Sequence, residues 1–468
     1  MSDFQLSENA DFNKIFITKF SELEGRWNPS SYSMKSIFAD SVFPIKLLRD
    51  FFIVNPLQKE KIKANIDYSF IPMKNISDKN AVVKQTNIIK GKDSKGYTSF
   101  NDGDFVFAKI TPCMENGKMA IIRNLPTHIG FGSTEFHVFR EKTNAVTVDF
   151  LRSIFLINDF RKYAKCYFTG TAGHQRVPSE FFQSLKIPIP PKNIQADIVA
   201  KMDRAYQDKQ SKETQAQNLL NSIDDYLLDE LGIDFPKQTD NSLKARIFTK
   251  KLSEIVGGRF DPVMALYQKT VHNSKYPPQK LGSILKKNPQ YGANEVGIDR
   301  QSKDEIRYIR ITDIDDNGFL KNKLGKTAKN IENQYLLQFN DLLLARSGSV
   351  GRSYLHKETS QKNIFAGYLI RFILDDKQVI PDYIFSYMQC ELYKNWVNAI
   401  QRVVAQPNIN AEEYKSLKIP LPPLEKQNQI AEYISKIREQ AKQLQTEAKT
   451  GLEQAKQEIE TMILGGDL

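Results

Sequence analysis

The 468-residue chain has few of the residues that many functions need. It holds three cysteines, Cys113, Cys166 and Cys390, far apart and odd in number, which argues against a disulfide framework. It has no apolar run long enough to span a bilayer. The opening MSDFQLSENADF lacks the basic-then-apolar pattern of an export signal, so a cytoplasmic location is expected. The five histidines (His128, His137, His174, His272, His356) are dispersed, with no metal-ligand spacing beside a cysteine. Gly91 and Gly96 have the spacing of a phosphate loop, but Tyr97 stands where lysine is needed. Phe168 to Gly173 imitates a methyl-donor loop only faintly, without its strand-then-helix context. No Asn/Asp-Pro-Pro-Tyr/Phe accompanies it. Glu447-Ala448-Lys449 resembles the end of a nuclease motif but falls on a helical pattern, where residues two apart do not share a face. Nucleotide hydrolysis, methyl transfer and metal chemistry thus find no support, and no nucleophile elbow favours a hydrolase.

What the chain does have is a repeat. Leu185-Lys-Ile-Pro-Ile-Pro-Pro191 returns as Leu417-Lys-Ile-Pro-Leu-Pro-Pro423, six of seven positions identical at an offset of 232 (417 minus 185). Phe20-Ser-Glu-Leu23 and Gly25-Arg-Trp-Asn-Pro29 are matched by Leu252-Ser-Glu-Ile255 and Gly258-Arg-Phe-Asp-Pro262 at nearly the same offset. In these last segments the aromatics read as core, and Asn28 and Asp261 as turn or cap residues. Agreement at both ends of a long unit marks an internal duplication. Each Pro-rich copy predicts a strand end, a rigid turn and a helix start, because proline cannot extend a ladder but suits a first helical turn.

Between these anchors each half reads as α+β. Asp104 to Lys109 and Asp341 to Arg346 each follow Phe-Asn or a turn. Both have the apolar density of a strand buried on both faces. The loops after them diverge, Ile-Thr-Pro-Cys-Met-Glu-Asn-Gly-Lys against Ser-Gly-Ser-Val-Gly-Arg, and loops on a repeated scaffold are where binding resides.

Residues 192–231 predict a long helix with Ile194, Ile198, Met202, Ala205, Leu220, Ile223 and Leu227 on one stripe, ended by Gly232. A polar linker is expected over 233–243. Residues 424–464 predict a second. Its stripe of Ile430, Ile434, Ile437, Ala441, Leu444, Ala448, Leu452, Ala455, Ile459 and Met462 steps as a coiled-coil seam with one stutter. Helices of about 60 Å, at 1.5 Å per residue, must bury these stripes. Antiparallel pairing is the simplest way; the alternative lays each helix on its own half. The first helix carries a net −3 and the second −1 against +11 for the chain, which leaves +15 elsewhere. Two basic modules on a near-neutral spacer fit phosphate binding.

With the duplication, the Pro-Pro helix starts leading to Gln195 and Ile198 or Gln427 and Ile430, and the loops Gly170 to Pro178 and Val404 to Ile409, the chain resembles the specificity (HsdS-type) subunits of Type I restriction–modification systems. The resemblance implies two target-recognition domains (1–190 and 236–422). They are joined by a central spacer helix (191–235) and a C-terminal one (423–468), antiparallel and coiled around each other with pseudo-two-fold symmetry. It implies a non-catalytic chain that reads a bipartite site on double-stranded DNA. Methyltransferase subunits, two of them, would dock on the helices and hold S-adenosylmethionine, which this chain does not bind; motor-nuclease subunits would join for cleavage. The alternatives are the recognition subunit of a Type II-like system with a fused methyltransferase–nuclease partner, or a coiled-coil adaptor without DNA binding.

Base readout needs Arg, Lys, Asn or Gln on loops that enter a groove. The candidates are Lys109, Lys118, His174, Gln175 and Arg176 in the first half, and Arg346, Ser347, Arg352, Gln406 and Asn408 in the second. His174-Gln175-Arg176-Val177 departs from the more usual Gln-x-Asn-Ile pattern kept near Gln406 and Asn408.

Overall fold

The computed structural model describes residues 37–78, 80–171, 173–234, 264, 267, 270–401 and 407–466. The Gly25 and Gly258 segments and Gln406 lie outside them. The chain divides into two compact units, one of residues up to Thr214 with Leu444 onward, the other Gln215–Gln443.

In the first unit an antiparallel sheet has the order Phe52–Val54, Phe136–Glu141, Phe105–Ala108, Met119–Ile121. A second sheet orders Asn87–Lys90, Asp67–Ile71, Ile129–Gly132, Thr98–Asn101, with its two middle strands parallel. The second unit repeats both. One sheet runs Gln290–Tyr291, Leu369–Phe372, Leu342–Ala345, Ser353–Leu355. The other runs Gly297–Asp299, Lys326–Ala328, Arg307–Ile309, Asn363–Phe365, again with one parallel pair.

The two apolar runs are central strands, as their composition predicts. Alternation sends Phe105 and Phe107 into one core and Val106 into another. Leu342 and Leu344 are likewise separated from Leu343 and Ala345. The aspartate that opens each run is buried and answered by an arginine of the neighbouring strand. Arg140 grips Asp104 through two hydrogen bonds (2.8 and 2.7 Å), and Arg371 lies 3.3 Å from Asp341.

The Pro-rich repeats do what their prolines predict. Lys186–Pro188 pairs with Ile45–Leu47, and Lys418–Pro420 with Pro278–Lys280; each leads through the Pro turn into a long helix. A buried glutamine locks each turn. Gln195 Nε2 donates to the Pro190 and Ala145 carbonyls (2.9 and 3.0 Å). Gln427 Nε2 donates to Pro422 (2.8 Å), while its Oε1 accepts from the Ile380 N–H (2.9 Å). Gln427→Leu keeps the volume but orphans both backbone groups. Each buried orphan costs about 1–3 kcal/mol. Thermal melting of the variant should show a loss of several degrees; a wild-type Tm would refute this role.

The helices run Lys192–Glu230 and Leu424–Leu464. Gly232 (φ 61°) and Gly465 (φ 82°) end them in the left-handed conformation. There Ile233 N–H reaches back to Leu228 and Gly466 N–H to Thr461. Ile233, expected to open the linker, is buried in the core instead. Within the first unit Lys201 pairs with Glu458 and Lys212 with Glu447 (3.0 Å); within the second, Lys426 pairs with Glu230 (2.6 Å) and the Tyr226 and Tyr433 rings lie 4.1 Å apart. In each unit the helices are therefore antiparallel neighbours. Glu447, which imitated a nuclease residue, serves this pairing.

The alternative burial also holds at the helix ends. Ile198, Met202, Ile459 and Met462 are buried in the first unit's core, with Ile194 packed partly against it. Ile223, Leu227, Ile430, Ile434 and Ile437 join the second unit's. Leu444 is half-buried, whereas Ala441 and Ala448 are buried. Among the described residues no helix is long and apolar enough to cross a membrane.

Candidate nucleic-acid interface

In the first unit the central strand ends at Ala108 and delivers Lys109 to one end of its sheet. The segment after Phe168 folds back on this end. Thr169 and Arg176 exchange backbone hydrogen bonds (2.9 Å each), Val177 N–H donates to the Lys109 carbonyl (2.9 Å), and Thr111 N–H to that of Gln175 (2.9 Å). Lys109 N–H in turn donates to the Glu135 carbonyl, and Ala108 N–H to that of Lys118. Lys109, Lys118, His174, Gln175 and Arg176 are thus gathered at one sheet end.

Their side chains differ in availability. His174 is exposed. Lys118 reaches the Met73 carbonyl (3.3 Å) and clamps the short turn Met73–Asn75. The Arg176 guanidinium lies against Glu135, with Nε and Nη2 both donating to its carboxylate (2.9 and 2.7 Å), and Nη1 donates to the His174 carbonyl (2.8 Å). These hydrogen bonds hold the Glu135 carboxyl below its usual range. Partial burial lowers the Lys109 ammonium, opposed by the charge of Glu135 and aided by that of Arg176. Glu135 was not among the residues expected from sequence. It lies 41 residues from Arg176, and only the fold brings them together.

Beneath this cluster His137 is buried. Its Nε2 faces the Val177 carbonyl (2.9 Å) and so carries the hydrogen; its Nδ1 accepts from the Asn55 amide (3.1 Å). Burial pushes its pKa down to about 4. The loop 110–117 is held from outside the sheet. Arg161 donates to the carbonyls of Glu115 (3.2 Å) and Leu156 (2.7 Å), and Lys165 pairs with Glu115 (2.7 Å).

The second unit repeats the register with other chemistry. Arg346 N–H donates to the Tyr368 carbonyl (2.9 Å), Ile409 N–H to that of Arg346 (2.8 Å), and Ser347 bridges Asn408. Arg346 thus corresponds to Lys109, Tyr368 to Glu135 and Asn408 to Arg176. The Arg346 guanidinium lies 4.9 Å from the centre of the Tyr291 ring, and Tyr368 is 63% exposed. The Asn408 amide oxygen is buried without a hydrogen-bond partner among the described residues. Arg352 corresponds to Lys118 and does the same work, donating to the Ile314 carbonyl (3.0 Å) and pairing with Asp316 over the turn Ile311–Asp313. Lys118 and Arg352 therefore each hold a turn of the framework.

Two tyrosines fix the loop 346–351. Tyr414 donates its hydroxyl hydrogen to the Ala345 carbonyl (2.7 Å) and accepts from Gly351 N–H (3.1 Å); Tyr393 donates to the Gly351 carbonyl (2.8 Å). Gly351 (φ 82°) sits so close that a Cβ would come within 2.6 Å of Val397. The arrangement presents donors and aromatic faces on a rigid sheet end and suits contact with base edges and phosphates.

The family model described as Type I restriction modification DNA specificity domain matches this chain twice, over residues 45–222 and 273–454. The Escherichia coli Type I restriction enzyme EcoEI specificity subunit is 28% identical over 427 residues, covering 76% of this chain and 71% of its own. The EcoAI specificity subunit of the same organism is 43% identical over 134 residues, 28% of this chain and 23% of its own. A chain from a structure addressing assembly and conformational transition of the type I R-M system shares the fold. Its TM-score is 0.55 at 14% identity, over 90% of this chain and 96% of its own. The two specificity domains, repeated on paired helices, place this chain in the Type I restriction–modification specificity family, to which it belongs as a non-catalytic, DNA-specifying subunit.

Proposed function

We propose that each unit reads one half of a split site on double-stranded DNA through the sheet end described above. The observation that carries this reading is the repeated register: one backbone frame presents Lys109, Gln175 and Arg176 in one unit and Arg346, Ser347 and Asn408 in the other. A repeated frame with different side chains is what two different half-sites require. In this reading residues 1–190 and 236–422 are the recognition domains, and the helices of 191–235 and 423–468 set the gap between half-sites. The helices also receive two methyltransferase subunits, which hold S-adenosylmethionine, and motor-nuclease subunits complete the complex in the cytoplasm. His174, and Gln406 by its position in the sequence, are further proposed contacts.

Selection from random duplex DNA tests this. Lys109→Ala or Arg346→Ala should cost about 1–3 kcal/mol at one position and change preference in one half-site only. Equal loss for all sequences would make both residues phosphate contacts, and loss of preference in both half-sites at once would refute the division of labour.

A further inference from the structure

We propose that Glu135 is a positioning residue for Arg176, and that the fork of Arg176 reads a guanine in the first unit's half-site. The inference rests on the DNA-reading function proposed above and goes on to name the base and the device.

A guanidinium has five N–H donors in a rigid plane. Here Glu135 takes one from Nε and one from Nη2, and the His174 carbonyl takes one from Nη1. One hydrogen remains on each terminal nitrogen. The Nη1 and Nη2 end of a guanidinium plane matches the O6 and N7 acceptors that guanine alone presents in the major groove. The Arg176 side chain is 40% exposed and that of Glu135 23%. The fork is thus open to a ligand while its orienting partner sits behind it.

The second copy of the domain supplies an internal control on the plainer reading, that this ion pair merely holds the segment in place. There Tyr368 and Asn408 occupy the positions of Glu135 and Arg176, and no ion pair is possible. The backbone hydrogen bonds are nonetheless the same: Ile409 to Arg346 as Val177 to Lys109, and Arg346 to Tyr368 as Lys109 to Glu135. The frame does not need the pair. What the pair adds is a fixed orientation for a long, rotamer-rich side chain at the rim, which lowers the ordering cost of a bidentate contact.

The test is selection from a random duplex DNA library by the full chain, wild type against Arg176→Lys, Glu135→Ala and the double variant Arg176→Ala/Glu135→Ala. Lysine keeps the charge but loses the fork. Arg176→Lys should therefore lose about tenfold or more of the preference for one G·C pair. The other half-site, the salt slope and the melting temperature should stay as in wild type. Glu135→Ala should weaken the same preference, and should add nothing in the Arg176→Ala background. Retention of that preference by Arg176→Lys would assign the residue to phosphate and overturn the proposal. So would a uniform loss by Glu135→Ala across all sequences, or one accompanied by a lower melting temperature. If wild-type protein enriches no sequence at all, the DNA-reading function itself fails and this inference with it; an enriched bipartite motif indifferent to Arg176→Lys overturns the inference alone.

Discussion

Raising monovalent salt from 50 to 200 mM should lower the affinity of the chain for DNA about a thousandfold. Outside the long helices the chain carries a net +15, obtained by removing the helices' −3 and −1 from +11. Not all of this charge is available. Lys118 and Arg352 clamp turns, Arg140 and Arg371 answer buried aspartates, and Arg161 holds a loop. If about six phosphates are neutralised, the log–log salt slope is near −5, which gives that thousandfold loss. Fluorescence anisotropy with a labelled duplex measures the slope directly. A slope near zero would sink DNA binding by this chain.

Lowering pH from 7 to 4.5 should weaken the first unit through His137. His137 has a folded-state pKa of about 4 against an ordinary 6.5. Between these values the unfolded chain binds a proton that the folded chain refuses. A depressed pKa of this kind leaves the fold at full stability above pH 6.5 and erodes it as pH falls from there towards 4. Down to pH 4.5 the loss amounts to about 2–3 kcal/mol, close to a hundredfold in the unfolding equilibrium. Burial, aided by the charge of Lys109, opposes protonation and outweighs the Val177 carbonyl and the carboxylates of Glu180 and Glu135, which favour it. His137→Gln retains a donor for Val177 and an acceptor for Asn55 without titrating. Chemical denaturation at both pH values should show wild type losing more stability than the variant. Parallel losses would mean that other groups govern the acid response.

The parts of this molecule that depend on short-range pattern were legible in its residues. Phe105–Ala108 and Leu342–Ala345 announced themselves by continuous apolar character, the Pro-Pro turns by their missing N–H groups, and Ile430 to Met462 by their spacing. The division of each unit into two four-stranded sheets was not legible, because strands of two to six residues pair across long separations and leave little periodic signal. At the sheet ends, the sequence named loops that the fold gathers together, but not what each side chain does there. Lys118 and Arg352 looked as available as Lys109 and Arg346. Only the carbonyls of distant turns distinguish them. Glu135, Tyr393 and Tyr414 were missed because nothing in their local sequence marks them; their importance comes from where the fold puts them. For the two locks at the helix starts the signal was present: Gln195 and Gln427 stand at the same place after each Pro-Pro pair.

The anchors of the two loops bear on how such a protein could acquire a new specificity by descent. The loop 110–117 depends on Arg161, and the loop 346–351 on Tyr393 and Tyr414, so each loop is tied to side chains far along its own unit. A recombination event that moved a loop alone would deliver it without its fasteners. An event that cut within the two long helices, near Thr214 and Gln443, would carry every loop together with its anchors and its core. On the division of labour proposed above, the heritable cassette of specificity would be the whole unit, and point changes within a loop would tune a preference that exchange of units creates.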